Sequence, residues 1–281
     1  TRHDITGHFE RSGGRPSRAL GQNFVADPNT VRRIVRLADV DAGSKVVEIG
    51  AGLGSLTLAL AETGASVTAV EIDRHLIEQL RENVRAQTNV RVVHADAMAV
   101  DWQELLPPAD GPYTLVANLP YNVATPLVLD LLADVPAIER MLVMVQKEAG
   151  ERLAAAPGTG IYGIPSVKVA LRASARIVGK VGPDVFLPRP RVDSALVEIV
   201  RLDQPATSAD PELLVDLVET AFNQRRKMLR RSLASRVSPE AFAAADVDPE
   251  DRPERLSVQD WGRLTDAVAR LDPPAAPTIA G

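Results

Sequence analysis

The chain has 281 residues, of which 45% are hydrophobic, and a formal net charge of −5 at pH 7. This length and composition support a folded core and exclude a wholly disordered chain. The sequence contains no cysteine and only four histidines, which excludes disulfides, thiolate metal sites and a cysteine nucleophile. We therefore expect no metal centre, and a chemistry that depends on a bound cofactor or on oxygen and nitrogen groups of the protein.

The distribution of apolar and charged residues indicates where the protein works. No apolar run reaches the roughly 20 residues that a membrane-spanning helix needs. Residues 1–18 are polar, glycine-rich and basic, unlike a signal peptide. We therefore expect a cytoplasmic protein with no membrane attachment. The acidic net charge argues against a surface that binds nucleic acid everywhere, but it allows a local basic face.

The first predicted element is a helix over residues 27–39. Asp27 is a favourable N-cap, Pro28 suits the first helical position, and apolar residues then recur at helical spacing. After this helix, short apolar runs alternate with amphipathic stretches. Strands are predicted at 45–49, 66–70, 90–94 and 113–117, and helices at 53–62 and 74–85. This alternation is typical of a parallel sheet.

The pattern changes in the second half of the chain. A helix near 126–132 and a strand at 141–145 are followed by extended runs near 175–181 and 192–200, which suggest an antiparallel edge. A linker is predicted at 203–211, which is rich in Asp, Pro, Thr and Ser. Beyond it only helical signals occur. We therefore predict four segments: a basic arm with a cofactor-covering segment at 1–26, an α/β domain at 27–203, a small helical domain at 204–272 and a disordered tail at 273–281.

A glycine-rich turn follows the first predicted strand of the sheet, with the sequence Gly50-Ala51-Gly52-Leu53-Gly54. Glycine allows positive φ and lets a ligand approach the backbone at the carboxyl end of a parallel strand. A tight strand–helix turn without a ligand is the alternative. The third glycine comes one residue too early for the Gly-x-Gly-x-x-Gly motif of dehydrogenases, and Glu48 within the strand also argues against that class.

Acidic residues end the next two predicted strands. At Glu71 a carboxylate can accept hydrogen bonds from ribose hydroxyls, although an ordinary acid near a helix start is the alternative. At Asp96 it could accept from an adenine amine, with Ile72 and Met98 beside the ring, or it could be a solvated loop residue. Three strand ends in this order are typical of the adenosine site of class I methyltransferases. We therefore predict an α/β fold with a Rossmann-like class I sheet, a small C-terminal all-α domain, and S-adenosylmethionine as the cofactor.

The motif Asn118-Leu119-Pro120-Tyr121 follows the fourth predicted strand, beside the expected cofactor. An exocyclic adenine amine is a poor nucleophile because its lone pair is delocalised, and hydrogen-bond acceptors favour the tetrahedral nitrogen of the transition state. We assign the Asn118 side-chain oxygen and the Leu119 carbonyl to the amine hydrogens. Pro120 is assigned to the turn and the Tyr121 ring to stacking on the base. A plain Asn-x-Pro turn with a packed tyrosine is the alternative.

Six further motifs lie outside the glycine turn and the Asn-Leu-Pro-Tyr motif. They are Leu20-Gly21-Gln22-Asn23-Phe24, Gln146-Lys147-Glu148, Tyr162-Gly163, Phe186-Leu187-Pro188-Arg189-Pro190, Val192-Asp193-Ser194-Ala195 and Phe222-Asn223-Gln224-Arg225-Arg226-Lys227. With them, nearly the whole chain resembles the ribosomal RNA adenine dimethyltransferases, most nearly the bacterial branch that modifies adjacent adenines near the 3′ end of small-subunit (16S) rRNA. The resemblance implies N6,N6-dimethylation and a role in small-subunit biogenesis.

The resemblance also implies roles for single residues. Gln22, Asn23 and Val25 are expected cofactor contacts, from a segment that closes over the cofactor. Phe186 is implied as a second aromatic face for the base, with loop packing as the alternative. The full set of expected cofactor contacts is Gln22, Asn23, Val25, Glu48, Gly50, Gly52, Gly54, Glu71, Ile72, Asp96, Ala97, Met98 and Asn118.

A basic stretch without acidic residues opens the predicted helical domain. It contains Arg225, Arg226, Lys227, Arg230, Arg231 and Arg236. Because the chain is acidic elsewhere, this segregation favours phosphate binding over an ordinary solvated helix face. Further basic residues expected to contribute to the RNA surface are Lys147, Arg189 and Arg191, together with Arg2, Arg11, Arg15 and Arg18 in a flexible arm.

Two other functions stay open on the sequence. One is the macrolide-resistance branch, which modifies a single large-subunit adenine. The other is a non-catalytic RNA-binding assembly factor that retains the fold. The motifs at 192–195 and 222–231 favour the small-subunit branch, and the intact glycine turn with Glu71 and Asn118 favours catalysis. We expect a monomer that acts on 16S rRNA within the small ribosomal subunit or its precursor.

Overall fold

The computed structural model describes residues 2–12, 15–17 and 20–272. The chain divides into two compact units, one made of residues 1–154 and 174–201 and the other of residues 155–173 and 202–281. In the described part of the chain, no helix is both long enough and apolar enough to cross a membrane. Arg18 and the tail predicted at 273–281 lie outside the described residues.

The first unit is built on a sheet with helices on its connections. The strands are β1 (Phe24–Val25), β2 (Lys45–Ile49), β3 (Ser66–Glu71), β4 (Val90–His94), β5 (Tyr113–Asn118), β6 (Ile138–Gln146), β7 (Ala173–Val181), β8 (Phe186–Leu187) and β9 (Ser194–Arg201). The helices of this unit are α1 (Arg2–Ser12), α2 (Pro28–Ala38), α3 (Ser55–Ala61), α4 (Arg74–Val84), α5 (Trp102–Leu105), α6 (Ala124–Asp134) and α7 (Lys147–Leu153).

Seven strands form the main sheet in the order β4-β3-β2-β5-β6-β9-β7. The strands from β4 to β6 in this order run parallel to one another, and β9 runs antiparallel to β6. This order confirms the predicted Rossmann-like α/β fold with an antiparallel strand near one edge. Because the parallel strands point the same way, the ends of β2, β3, β4 and β5 meet at one edge of the sheet.

Local sequence explains the first helix of the sheet domain. The Asp27 side chain accepts hydrogen bonds from the backbone of Asn29 and Thr30, and Pro28 occupies the first turn of α2. The apolar face of α2, which includes Ile34, packs into a core with residues of β2, α3 and β6. The predicted start, length and buried face of this helix agree with the structure to within a residue at each end.

The amino-terminal segment differs from the flexible arm that its composition predicted. Residues Arg2–Ser12 form α1, and Ile5 on this helix is buried against Ala26, Leu53 and Leu76. The guanidinium of Arg2 donates to the carbonyl of Asp184 at 2.7 Å. The burial of Ile5 and the hydrogen bond of Arg2 place this helix against other residues of the first unit, which the basic composition of the segment did not reveal.

The regular structure that lies wholly within the second unit is helical, as far as its residues are described. Its helices are α8 (Ile164–Arg172), α9 (Pro211–Phe222), α10 (Leu229–Ser232), α11 (Pro239–Ala245) and α12 (Val258–Leu271). Trp261 and Leu217 lie at its core, where Val167 and Leu171 of α8 are also buried. Burial of α8 in this core assigns residues 155–173 to the helical unit, so the division differs from the single boundary predicted at residue 203.

Candidate active site

A cavity of about 200 Å³ opens where β2, β3, β4 and β5 end. The predicted site residues that line it are Gln22, Asn23, Gly50, Gly52, Glu71, Ile72, Asp96, Ala97, Met98, Asn118, Leu119, Pro120 and Tyr121. The fold therefore brings together the glycine turn, two acids and the Asn-Leu-Pro-Tyr motif in one cleft. In the described residues no cluster of three or more potential metal ligands occurs.

The glycine turn lines the cleft through two of its three glycines. Gly50 and Gly52 have φ values of +74° and +59°, which other residues rarely adopt. A Cβ atom on Gly52 would lie 3.0 Å from the ring of Phe24, and one on Gly50 would lie 3.7 Å from the carbonyl oxygen of Asn118. Gly54 does not line the cleft. A Cβ atom at this position would lie 2.9 Å from Cδ1 of Leu80, so this glycine allows the close packing of α4.

Glu71 is buried at the end of β3 and is held by the backbone. Its Oε2 accepts from the Gly52 amide at 2.7 Å, and its Oε1 accepts from the Asp73 amide at 2.8 Å. Burial raises the pKa of Glu71, and these two backbone hydrogen bonds oppose that rise. A carboxylate offers about four acceptor positions, so Glu71 retains lone pairs for a ligand.

Glu48 does not line the cleft, in contrast to its predicted role as a cofactor contact. Its side chain is 2% exposed and accepts a hydrogen bond from the Thr57 hydroxyl of α3 at 2.5 Å. Burial raises the pKa of Glu48 to about 8. The parallel strand β2 is covered on both faces, so its sequence did not reveal which side of the sheet Glu48 occupies.

The residues after β3 and β4 form one wall of the cleft. Ile72 and Met98 are 42% and 45% exposed there, so both offer apolar surface to a ligand in the cleft. Asp96 lines the same cleft, and its Oδ1 accepts from the Met98 amide at 2.9 Å. This bond fixes the loop and leaves the second carboxylate oxygen of Asp96 for a ligand.

Residues just before β1, and the first residue of that strand, also line the cleft. Gln22 and Asn23 line it as predicted, and so does Phe24, which the sequence analysis had not assigned to the site. Val25 does not line it. Instead Val25 pairs with Phe186 across the two-stranded ribbon β1–β8 and packs toward the core. Alternation along a strand explains the difference, since neighbouring residues face opposite sides.

Asn118 ends β5 with its amide held in a defined direction. Its Nδ2 donates to the backbone carbonyl of Asn23 at 2.8 Å. A carbonyl can only accept, so the nitrogen must face Asn23, and among the described residues no hydrogen bond is made to Oδ1, which can accept from a ligand. The following residue is anchored by a hydrogen bond from the Leu119 amide to the Met144 carbonyl at 3.1 Å.

Phe186 is not an aromatic face of the cleft. Its side chain is 0% exposed and lies in the core with Ile34 of α2 and Leu196 of β9. The alternative of simple packing, which the sequence left open, describes its position. Tyr121 and Phe24 are the aromatic side chains of the cleft lining.

The predicted RNA-binding residues fall into two classes. Three arginines of the basic stretch bind other groups of the protein. Arg225 donates to the Gly160 carbonyl at 2.9 Å and lies over the Phe222 ring. Arg230 forms an ion pair with Glu250, and Arg236 forms one with Asp216. By contrast, Arg226, Lys227 and Arg231 are exposed and have no carboxylate partner among the described residues. On the other unit, Arg189 pairs with Asp184 at 3.2 Å, Lys147 lies 3.8 Å from Glu151, and Arg191 is exposed.

Comparison with known proteins gives a consistent result. The profile of the family described as "Ribosomal RNA adenine dimethylase" matches residues 15–270. "Ribosomal RNA small subunit methyltransferase A" of Kineococcus radiotolerans is 50% identical, over 93% of this chain and 89% of the relative. The protein of the same name from Streptomyces coelicolor is 48% identical, over 90% and 91% of the two chains.

Two solved structures are also similar. The 23S rRNA methyltransferase ErmE is 28% identical, with a TM-score of 0.67 over 87% of this chain and 99% of that one. A dimethyladenosine transferase from Plasmodium falciparum has a TM-score of 0.73 over 86% and 95% of the two chains, and its 22% identity supports the shared fold alone.

Proposed function

This chain belongs to the ribosomal RNA adenine dimethylase family, and on that premise we propose that it uses S-adenosylmethionine to dimethylate the N6 amines of two adjacent adenines in the 3′-terminal hairpin of small-subunit rRNA. The observation that carries the proposal is the position of Asn118. Its free Oδ1 belongs to the same cleft as the glycine turn, Glu71 and Asp96.

The cleft has the groups that the cofactor requires. The positive φ values of Gly50 and Gly52 leave a bend without side chains, which Phe24 approaches closely. We assign Glu71 to the ribose hydroxyls and Asp96 to the adenine amine, with Ile72 and Met98 against the faces of the ring. When bound, S-adenosylmethionine supplies an electrophilic methyl group on a sulfonium.

The target base is held by the loop after β5. We assign Oδ1 of Asn118 and the carbonyl oxygen of Leu119 to the two hydrogens of the amine, which favours the tetrahedral nitrogen of the transition state. The ring of Tyr121 stacks on the base. Burial raises the pKa of Tyr121, so its hydroxyl is neutral at physiological pH.

The small subunit is favoured over the large subunit as substrate. Relatives named for the small subunit share 48–50% identity with this chain, whereas the large-subunit enzyme ErmE shares 28%. We propose that the RNA backbone is bound through Arg226, Lys227 and Arg231, since these cations are exposed and unneutralised. We further propose that the protein acts as a cytoplasmic monomer in the biogenesis of the small subunit.

Transfer of labelled methyl groups to under-methylated ribosomal subunits tests the proposal. We expect incorporation into isolated small subunits, two methyl groups per adenine, and none into large subunits. Asn118→Ala should lower turnover by roughly two to three orders of magnitude, as loss of a transition-state hydrogen bond does, while S-adenosylhomocysteine still binds. Asn29→Ala, an exposed change on α2, is the matched control.

Two results would contradict the proposal. Labelling of large subunits instead of small ones would assign the chain to the macrolide-resistance type. Failure to bind S-adenosylhomocysteine in calorimetry, with RNA binding intact, would leave only the role of an assembly factor.

A further inference from the structure

The orientation of the Asn118 amide depends on a backbone atom of another segment. Nδ2 of Asn118 donates to the carbonyl oxygen of Asn23, 95 residues earlier in the chain. If that carbonyl moved away, the amide could rotate and present its nitrogen to the amine of the substrate. A donor in that place would not stabilise the reacting nitrogen. The position of the segment that contains Asn23 therefore controls the chemistry assigned to Asn118.

This segment lies directly against the loop after β5. Gly21 has a φ of +62°, and a Cβ atom at this position would lie 2.9 Å from Oδ1 of Asn122 and 3.4 Å from Cβ of Pro120. The contact leaves no room for a closer approach of the two segments. It does not by itself hold the segment in place, because steric contact limits approach but does not oppose separation.

Hydrogen bonds of the Gln22 side chain hold the segment in place. Its Nε2 donates to Oδ2 of Asp73 at 2.7 Å, and its Oε1 accepts from the Ser17 amide at 2.7 Å. Both ends of the Gln22 amide are thus engaged by protein groups, although this residue had been expected to contact the cofactor. A hydrogen bond to a charged carboxylate is stronger than one between neutral groups.

Asp73 is itself fixed by its neighbours. Its Oδ1 accepts from the His75 amide at the start of α4, and its own amide donates to Glu71. Glu71 in turn accepts from Gly52 in the glycine turn. The hydrogen bond from Gln22 therefore ties the segment to the backbone framework of the cleft.

We propose that Gln22 and Asp73 are positioning residues, which hold the Asn23 carbonyl so that Asn118 presents its oxygen to the target amine. The inference rests on the proposed function of Asn118. It predicts that breaking the bond between Gln22 and Asp73 reduces kcat and changes cofactor affinity little, because the polar atoms of both side chains are engaged by protein groups in this arrangement.

Exchanging the amide of Gln22 and the carboxylate of Asp73 tests the inference. Gln22→Glu places two carboxylates together, and Asp73→Asn places two amides together, so each single change disrupts the charge-assisted bond. The double variant restores it in reverse, since the new amide at position 73 can donate to the new carboxylate at position 22, which still accepts from Ser17. The matched control is Gln103→Glu, the same chemical change on an exposed residue of α5.

Turnover of under-methylated small subunits at saturating S-adenosylmethionine, the dissociation constant of S-adenosylhomocysteine and the melting temperature are measured for all variants. We expect each single variant to lose at least tenfold in kcat with a dissociation constant within threefold of the wild type, and the double variant to recover to within threefold.

Several results would overturn the inference. A tenfold weaker dissociation constant with unchanged kcat would make Gln22 a cofactor contact. A double variant as impaired as its singles, or kcat losses that follow the melting temperature, would make the pair merely structural. If the wild type and Gln103→Glu transfer no methyl group to RNA, the proposed function is wrong, and so is the inference that rests on it. If both are active and the single variants have the kcat of the wild type, only the inference is wrong.

Discussion

The hydroxyl of Tyr121 lies 2.7 Å from the hydroxyl of Ser194, and the two form a hydrogen bond. Ser194 is the first residue of β9 and pairs with Gln146, the last residue of β6. Because β9 runs antiparallel to β6, its first residue lies at the same edge of the sheet as the candidate active site. Ser194 is fully buried, so it offers Tyr121 a fixed partner and orients the ring that is assigned to the base.

Ser194→Ala tests this orientation. The change leaves the Tyr121 hydroxyl without its partner, and a hydrogen bond of this kind is worth about 0.5–1.5 kcal/mol, so kcat/KM for the RNA should fall roughly 2- to 10-fold. Tyr121→Phe should give the same loss, and the double variant no more than either single. Additive losses in steady-state assays would mean that the two hydroxyls act separately.

Gly52→Ala should impair cofactor binding. A methyl group at this position needs a strained positive φ and meets the ring of Phe24 at 3.0 Å, so the cleft must change shape. We expect the dissociation constant of S-adenosylhomocysteine to rise at least tenfold. Gly158→Ala is the control, because Gly158 has a φ of +83° but open space around it. Equal effects of the two changes on cofactor affinity would show that the contact with Phe24 is irrelevant.

Glu48 should make stability depend on pH. Its pKa is about 8 in the folded protein, against an ordinary value of 4.5, so the folded state binds the proton more tightly than the unfolded state does. This contribution is fully present below about pH 4.5 and is lost as pH rises toward 8 and above. Glu48→Gln stays neutral and can still accept from Thr57.

Thermal unfolding between pH 6 and pH 9 measures this effect. The melting temperature of the wild type should fall more steeply with pH than that of Glu48→Gln, and the variant should be the more stable of the two at pH 9. Parallel curves for the two proteins would show that Glu48 is already ionised in the folded protein throughout this range.

The two classes of basic residue in the helical unit should behave differently. Arg226→Ala or Arg231→Ala removes an exposed cation without an acidic partner, so RNA binding should weaken. The slope of log K against log salt should become less steep by about 0.7–0.9 for each phosphate that is no longer neutralised. The melting temperature should not change.

Arg225→Ala is compared with Arg226→Ala and Arg231→Ala, because Arg225 binds other groups of the protein. Arg225 bonds to Gly160, lies near Glu254 and stacks on Phe222, so its loss should lower the melting temperature and leave the salt slope nearly unchanged. A salt slope that falls equally for Arg225 and Arg226 would indicate that both contact phosphate.

Much of the site was predictable because its signals are local. A strand, the glycine turn and a helix follow one another within residues 45–62. An acidic or amide residue at the carboxyl end of one parallel strand must lie at the same edge of the sheet as the ends of the other parallel strands. Gly50, Glu71, Asp96 and Asn118 could therefore be assigned to one cleft without any coordinates. The N-cap at Asp27 could also be predicted, because capping depends on residues that are close in sequence.

The residues that were misassigned depend on partners that the local pattern does not contain. Val25 and Phe186 are paired across about 160 residues of sequence, and this pairing turns both of them toward the core. Glu48 lies on a strand that is buried on both faces. Its sequence therefore shows no alternation of apolar and polar residues that would indicate which face of the sheet the Glu48 side chain occupies. Helix α8 joined the helical unit because its apolar face fits that core, although it precedes the predicted linker.

The sequence alone determined the order of the parallel strands along the chain and most of the chemical groups that the cleft contains, since both follow from periodicity and from the conformational range of single residues. The tertiary structure decided which way those groups point. The Asn118 amide is oriented by a carbonyl 95 residues away, and Tyr121 by a serine 73 residues away. Hydrogen bonds between segments so distant form only when the sheet has brought them together, and no local pattern encodes them.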